Sequence, residues 1–224
     1  MLEMLARSGL FQGMSKEDIN AVLNQGSQTV YHTGRWLFRE GERAKHFFLL
    51  IEGRISLTLI TPDGIEVLLT FITPGGVCGR NALRENSTYA VSARAANDIR
   101  VAVWSGDCVR QLVQKYPRLG LNMVGLAFDL LQEFAVRYSY LLTKSVRQRT
   151  ARALAELARH LGSRTDHGVA IAIHQRDLAE LAGTTVYSVS RVLNEWGRRG
   201  LVQKGRGRLI VVDMDALLKD KRAA

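Results

Sequence analysis

Cysteine is scarce in this chain of 224 residues, where Cys78 and Cys108 are the only two. Two thiols cannot make a disulfide framework, and they suit a reducing compartment. They also fall short of the roughly four thiolates that hold an iron–sulfur cluster, so no such cluster is expected. Long hydrophobic runs are missing too. The longest uninterrupted ones, residues 47–51 and 169–173, are far shorter than the roughly 20 residues that span a bilayer. The first residues carry an acid at Glu3 and no basic stretch leading into an apolar one, so no signal peptide is expected. With 46% hydrophobic residues, the chain is neither disordered nor collagen-like. A cytoplasmic protein without a membrane partner is the expectation.

Catalytic signatures are absent as well. The five histidines never form a His-x-His pair, which a cupin-type metal site would need. His160, His167 and His174 stand seven residues apart, but Gly162 and Gly168 break that stretch. There is no Gly-x-Ser-x-Gly elbow, P-loop or Cys-x-x-Cys pair. Neither an enzyme nor a metal site is expected.

Positive charge, in contrast, is plentiful, with 31 Lys+Arg against 21 Asp+Glu and a net charge of +10. Residues 1–143 hold 15 basic and 13 acidic side chains, whereas residues 144–224 hold 16 and 8. A segment of net +8 joined to a nearly neutral one suggests a polyanion-binding module on a body with another task. Charge alone is equally compatible with a solvated basic face.

From about residue 28 to 104, short apolar or alternating runs are separated by glycine and turn residues. The runs are 35–38, 47–51, 55–60, 67–72 and 99–104, and the breaks include Gly34, Gly41, Gly53, Asp63-Gly64 and Pro74-Gly75-Gly76. This spacing predicts a β-barrel or β-roll, with Asp63-Gly64 as a hairpin turn. Residues 105–116 read as a short helix stopped by Pro117. A long helix then runs from about 119 to 142. Val124, Leu131 and Tyr138 recur every seven residues, with a second row at Ala127/Phe128, Phe134/Ala135 and Leu141/Leu142. That seam predicts self-association into a homodimer, the alternative being a helix buried inside one domain. Residues 143–145 are a candidate hinge, and a further helix is expected over 146–161.

The most informative stretch follows. Residues 175–182 predict a short helix with Leu178, Leu181 and Ala182 inward, and Gly183 supplies a tight turn. A second helix from about Thr185 sets Val189, Val192, Leu193 and Trp196 on one face and Tyr187, Ser188, Ser190, Arg191 and Asn194 on the other. This is helix-turn-helix geometry, whose second helix enters a major groove. Arg191 suits guanine, Ser190 is adaptable, and Tyr187 offers a ring and a hydroxyl. Residues 201–204 and 208–212 flank Gly205-Arg206-Gly207 as a β-hairpin with a basic tip, the wing of a winged helix. An ordinary helical corner plus hairpin would explain the folding pattern but not the exposed arginine and the basic tip.

Taken together these motifs resemble the cyclic-AMP receptor/fumarate-nitrate regulator family of bacterial transcription regulators over nearly the whole chain. Gly34-x-x-Leu37-Phe38-x-Glu40-Gly41-Glu42, Phe48-Leu49-x-x-x-Gly53 and Pro74-Gly75 resemble its cyclic-nucleotide-binding β-roll. Leu178-Ala179 through Gly183, then Ser188-Val189-Ser190-Arg191-Val192-Leu193 to Gly200-Leu201-Val202, resemble its helix-turn-helix. The resemblance implies an α+β fold with a β-roll sensor over 1–117, a dimerisation helix over 118–143 and a winged helix-turn-helix over 144–224. It implies double-stranded DNA with a palindromic operator as partner, together with RNA polymerase. On this reading Arg191 reads guanine, Ser190 meets a neighbouring base or phosphate, and Thr185 and Ser188 hold the backbone. Gln175, Lys204, Arg206 and Arg208 meet phosphates.

The resemblance also locates an effector pocket at Gly79, Arg80, Asn81, Tyr89, Ala90 and Phe134. Members that bind cyclic AMP hold the ribose through a Gly-Glu pair and the phosphate through an Arg-Ser pair. Here Gly79 precedes Arg80, Tyr89 and Ala90 fall where Arg-Ser would, and Phe134 and Ala135 replace the hydroxyls that meet adenine. Cyclic AMP is therefore not the expected effector, which is left unidentified. Haem remains an alternative through His32, His46 and Cys78, as does a cyclic-nucleotide-like regulatory subunit acting on a protein partner.

Overall fold

The computed structural model describes residues 5, 8–205 and 207–220, which fall into two compact units, Met1–Glu133 and Phe134–Ala224. In the first, α1 (Lys16–Asn24) starts at Ser15, whose hydroxyl accepts from the Asp18 amide at 3.1 Å. Eight strands follow: β1 (Ser27–Tyr31), β2 (Trp36–Phe38), β3 (His46–Glu52), β4 (Ile55–Ile60), β5 (Glu66–Ile72), β6 (Val77–Cys78), β7 (Ser92–Ala95) and β8 (Ile99–Ser105). They form two antiparallel four-stranded sheets, ordered β1-β8-β3-β6 and β2-β7-β4-β5. Every run named from the sequence is a strand, and Asp63-Gly64 lies in the β4–β5 turn. Helix α1 and strands β1, β6 and β7 were not singled out.

The β3 run is uninterrupted because both of its faces are buried. Phe47, Leu49 and Ile51 pack with Trp104, Ile19, Val22, Val109, Leu112, Leu119 and Met123. Phe48 and Leu50 point the other way, into the roll, against Phe38, Ile55, Tyr89, Ala93 and Val101. A strand turns alternate side chains to opposite faces, so the two sets make two cores. The Trp104 indole donates to the Val22 carbonyl at 2.9 Å and ties α1 to the sheet.

After β8 come α2 (Gly106–Lys115) and α3 (Pro117–Thr143). Pro117 opens α3 as well as ending the helix before it, because a first helical residue needs no amide proton. Leu119 and Met123 are the buried anchors of α3, while Val124, Phe128, Leu131, Tyr138 and Leu142 are 53–69% exposed. By length and composition α3 could cross a membrane, with mean hydropathy of 1.3 over 18 residues. Uninterrupted runs do not reveal this, because isolated polar residues break them.

In the second unit, Ser145 and Gln148 form a reciprocal capping box at the start of α4 (Val146–Leu161). Strands β9 (Ser163–Thr165) and β10 (Gly168–Ile171), helices α5 (Gln175–Leu181) and α6 (Val186–Arg198), and strands β11 (Val202–Gly205) and β12 (Arg208–Val211) follow. The sheet runs β11-β12-β10-β9. A final helix, α7 (Met214–Lys219), is capped by the Asp213 carboxylate. The β9–β10 hairpin and α7 were not anticipated.

At the centre of this unit is a buried ionic cluster. Arg147, 3% exposed, donates to both Glu195 carboxylate oxygens at 2.9 and 2.5 Å and to Asp220 at 3.2 Å. Asp220 also accepts from the Trp196 indole at 2.8 Å and from Arg199 at 2.6 Å. Burial by itself would raise the Asp220 pKa. Hydrogen bonds from Trp196 and Arg199 and the charges of Arg147 and Arg199 outweigh it and hold the carboxyl at about 2. A carboxylate depressed in the folded state stabilises above its ordinary value, and the gain disappears as pH falls through the folded value. The difference in unfolding free energy between wild type and Asp220→Asn, followed in urea, should therefore shrink between pH 4 and 2 by at most about 2 kcal/mol. Arg147→Met should lose about 3 kcal/mol at neutral pH, because it removes the bidentate partner of Glu195 and one of the two arginines on the buried Asp220 carboxylate.

Candidate functional site

The helix-turn-helix is α5, the turn through Gly183, and α6. Gly183 has φ +60°, which favours glycine at this turn. The Thr184 amide donates to the Ala179 carbonyl at 2.9 Å and closes the end of α5. Two arginines that the sequence reading did not single out hold this turn. Arg149 donates to the carbonyls of Ala182 (2.9 Å), Gly183 (3.1 Å), Lys144 (3.3 Å) and Leu141 (3.4 Å). Arg137 donates to Glu180 O at 3.1 Å. Arg149 satisfies carbonyls that helix ends leave over, and Arg137 adds a bond to a Glu180 carbonyl that the Gly183 amide already meets, a signal that sequence spacing does not carry.

Helix α6 is two-faced. Val189, Val192, Leu193 and Trp196 are at most 1% exposed. On the other side Tyr187, Arg191 and Asn194 are exposed, with Ser188 and Ser190 half-buried. The Thr185 hydroxyl accepts from the Ser188 amide at 3.1 Å and donates to the Ser188 hydroxyl at 3.0 Å. Thr185 thus caps the helix and Ser188 completes the cap, while Arg191 makes no ion pair among the described residues. Gln175 opens α5 half-buried.

β11 and β12 form the expected hairpin, with Gly205 opposite Arg208. Lys204 and Arg208 are exposed, and the Lys204 ammonium donates to the Asn194 amide oxygen, linking the hairpin to α6. Arg206 lies outside the described residues. Not all of the regional positive charge faces outward, because Arg147 and Arg149 are engaged internally.

The effector candidates sit on and beside the roll, apart from Phe134, which is a half-buried residue of α3 in the second unit. Gly79 has φ +77° and a Cβ there would stand 2.5 Å from the His46 carbonyl oxygen. It leads into a single 3-10 turn, Arg80–Leu83. Arg80 is half-buried, burial lowers its pKa, and its Nε has no hydrogen-bond partner. Asn81 is half-buried, and its carbonyl accepts from the Ser87 hydroxyl. Ala90 is exposed. Tyr89 is 4% exposed and stacks on Phe38 at 3.8 Å between centroids. Its hydroxyl donates to the His46 carbonyl at 2.9 Å and accepts from the His46 amide at 3.0 Å. Tyr89 thus fills the interior of the roll and ties it to β3.

The haem candidates are not all gathered: His46 and Cys78 lie near each other on the paired strands β3 and β6, but His32 does not join them. His32 follows β1 beside Asp98 (3.5 Å), at the end of the sheet where Tyr31 pairs with Ile99. His46 pairs with Ser105 at the other end of β8, roughly 20 Å away at strand rise. These two histidines cannot serve one iron. Burial pushes the Cys78 thiol up to about 12, against a smaller opposing effect of Arg80, so it is protonated at neutral pH. Among the described residues, no group of three or more His, Cys, Asp or Glu side chains could hold a metal ion.

Residues 28–116 match the profile of the cyclic nucleotide-binding domain, and residues 148–219 that of the Crp-like helix-turn-helix domain. The chain belongs to the cyclic-AMP receptor/fumarate-nitrate regulator family. It is similar to the cyclic AMP receptor protein of Thermus thermophilus, with 28% identity over 95% of this chain and 96% of that one. It is 24% identical to the CRP-like cAMP-activated global transcriptional regulator of Mycobacterium tuberculosis, over 99% and 100% of the two chains. The fold is shared with the c-di-GMP-responsive global regulator CLP of Xanthomonas campestris, with a TM-score of 0.77, 23% identity and coverage of 89% and 100%. This regulator is accordingly a DNA-binding transcription factor, with a nucleotide-binding-type sheet domain, a long helix and a helix-turn-helix domain.

Removing the Tyr89 hydroxyl leaves both His46 backbone groups without their partner. Tyr89→Phe should therefore lose about 1–3 kcal/mol of stability in thermal or urea unfolding, while the affinity for DNA stays unchanged.

Proposed function

We propose that this regulator acts as a cytoplasmic homodimer, each copy placing α6 in the major groove of one half of a palindromic operator. The observation that carries this reading is Arg191, an exposed guanidinium without an ion-pair partner among the described residues, on a helix whose opposite face is out of water. Arg191 donates to O6 and N7 of a guanine, and Ser190 meets a neighbouring base or phosphate. Gln175, Lys204, Arg206 and Arg208 contact phosphate, and Thr185 and Ser188 fix the backbone of α6. Contact with RNA polymerase then conveys the bound state to transcription, and no catalytic step is involved.

The second copy covers the exposed stripe of α3. A water-filled gap at Val124, Phe128, Leu131 and Tyr138 would leave a large apolar face in solvent, which a matching stripe removes. Leu131→Asp should place an unpaired charge at that seam, costing several kcal/mol. Light scattering should find dimers for the wild type and monomers for the variant.

The curated relatives named above are cyclic-AMP regulators by name. For this chain we propose a different effector or state sensed in the region of Gly79, Arg80, Asn81 and Ala90. The reading is supported by Tyr89, which stands where the resemblance implies the phosphate-holding arginine and is stacked on Phe38 and bonded to His46. Titration calorimetry should detect no micromolar binding of cyclic AMP.

Sequence readout separates base contacts from phosphate contacts. Arg191→Ala should lose about 1–3 kcal/mol and relax preference at one base pair, with the salt dependence little changed. Arg208→Ala should weaken binding to all sequences alike and flatten the salt dependence. Competition against single-base operator variants checks the contrast, and an Arg191→Ala protein that keeps its full preference would place recognition elsewhere.

A further inference from the structure

The first turn of α6 is chemically unlike the rest of its outer face. Val186 is 46% exposed and Tyr187 78% exposed. The Thr185 and Ser188 hydroxyls are already joined to each other and to the Ser188 amide, which leaves the Tyr187 hydroxyl as the outward polar group of this turn. The turn holds no acidic residue, so nothing there can accept from a cytosine amine as a carboxylate would. It holds no lysine, arginine, asparagine or glutamine either. Charged donors begin one turn further on, at Arg191. What this turn presents is therefore an isopropyl group and, about 100° round the helix, a phenol ring with its hydroxyl.

A base edge in the major groove offers donors, acceptors and a single apolar feature, the C5 methyl group of thymine. An apolar pair that loses water on docking gains most where it meets that methyl, and it leaves an unpaired polar edge at any other base. Tyr187 and Arg191 are four residues apart and so share one side of the helix. The methyl contact and the guanine contact should then fall at nearby positions of the same half-site.

We propose that Val186 and Tyr187 determine specificity by packing on a thymine methyl group in each half-site, next to the guanine read by Arg191. This rests on the reading that α6 enters the major groove, and the test separates the two. Both side chains stand in solvent, so replacing them leaves the buried face of α6 intact.

Operators are selected from random-sequence duplex DNA by the full-length chain, and affinities are measured after two kinds of single-atom-group change. Deoxyuridine in place of each thymidine removes only the methyl, and 7-deazaguanine in place of each guanine removes only the N7 acceptor. The wild type should lose about three- to fivefold in affinity when uracil replaces one particular thymine per half-site, the scale of one buried methyl group. Val186→Ala or Tyr187→Ala should bind thymine and uracil operators alike at that position while keeping the 7-deazaguanine penalty. Arg191→Ala should show the reverse. Sensitivity to 7-deazaguanine with uracil tolerated at every position overturns the proposal and leaves the groove reading standing. A uracil penalty equally large in both alanine variants also overturns it. A pool that yields no common sequence overturns the groove reading, and this proposal with it.

Discussion

Val189, Val192, Leu193 and Trp196 are almost entirely removed from water, and their burial fixes the rotation of α6 about its own axis. With these four positions inward, Tyr187, Arg191 and Asn194 can only point outward, because a helix repeats every 3.6 residues. Rotation by one residue would put a guanidinium into the core and a valine into the groove, at a cost of several kcal/mol for the buried charge. Recognition chemistry on the outer face is thus set by apolar packing on the inner one. The same four residues connect to the ionic cluster, since the Trp196 indole shares the Asp220 carboxylate with Arg147 and Arg199.

Arginine does two different jobs in this unit. Arg147 and Arg149 are turned inward, one on carboxylates and the other on the carbonyl ends of two helices. A fork of donors suits both partners, because one guanidinium makes several bonds at once. Arg191 and Arg208 face outward. A net charge therefore overstates the surface available to a polyanion, and which arginines remain for DNA depends on where the carboxylates and helix ends lie.

In the first unit the decisive constraint is the double-sided burial of β3. Its alternating residues serve two cores, one under α1, α2 and the start of α3, the other inside the roll. The roll core is filled partly by Tyr89, where the family resemblance implies a phosphate-holding arginine in members that bind cyclic AMP. An aromatic ring bonded to main chain cannot perform an arginine's task, so a shared fold is compatible with a different signal.

Much of this organisation was legible in the sequence. Strands β2, β3, β4, β5 and β8 were readable from apolar alternation and glycine-bearing turns, and α5, α6 and the wing from spacing of three and four around Gly183. These features depend on neighbours close along the chain. Helix α1, strands β1, β6 and β7, the β9–β10 hairpin and α7 were not singled out, because few residues carry the period of each element. Nor were the bonds of Arg149 to the α5–α6 turn or of Arg147 to Asp220, which join residues 33 and 73 positions apart. The sequence by itself determined the order of elements and the two-faced character of α6, since both follow from local periodicity. Only the tertiary structure decided which arginines are spent inside, that Tyr89 closes the roll, and that His32 and His46 stand at opposite ends of a sheet, because each depends on contacts between segments that the chain brings together only on folding.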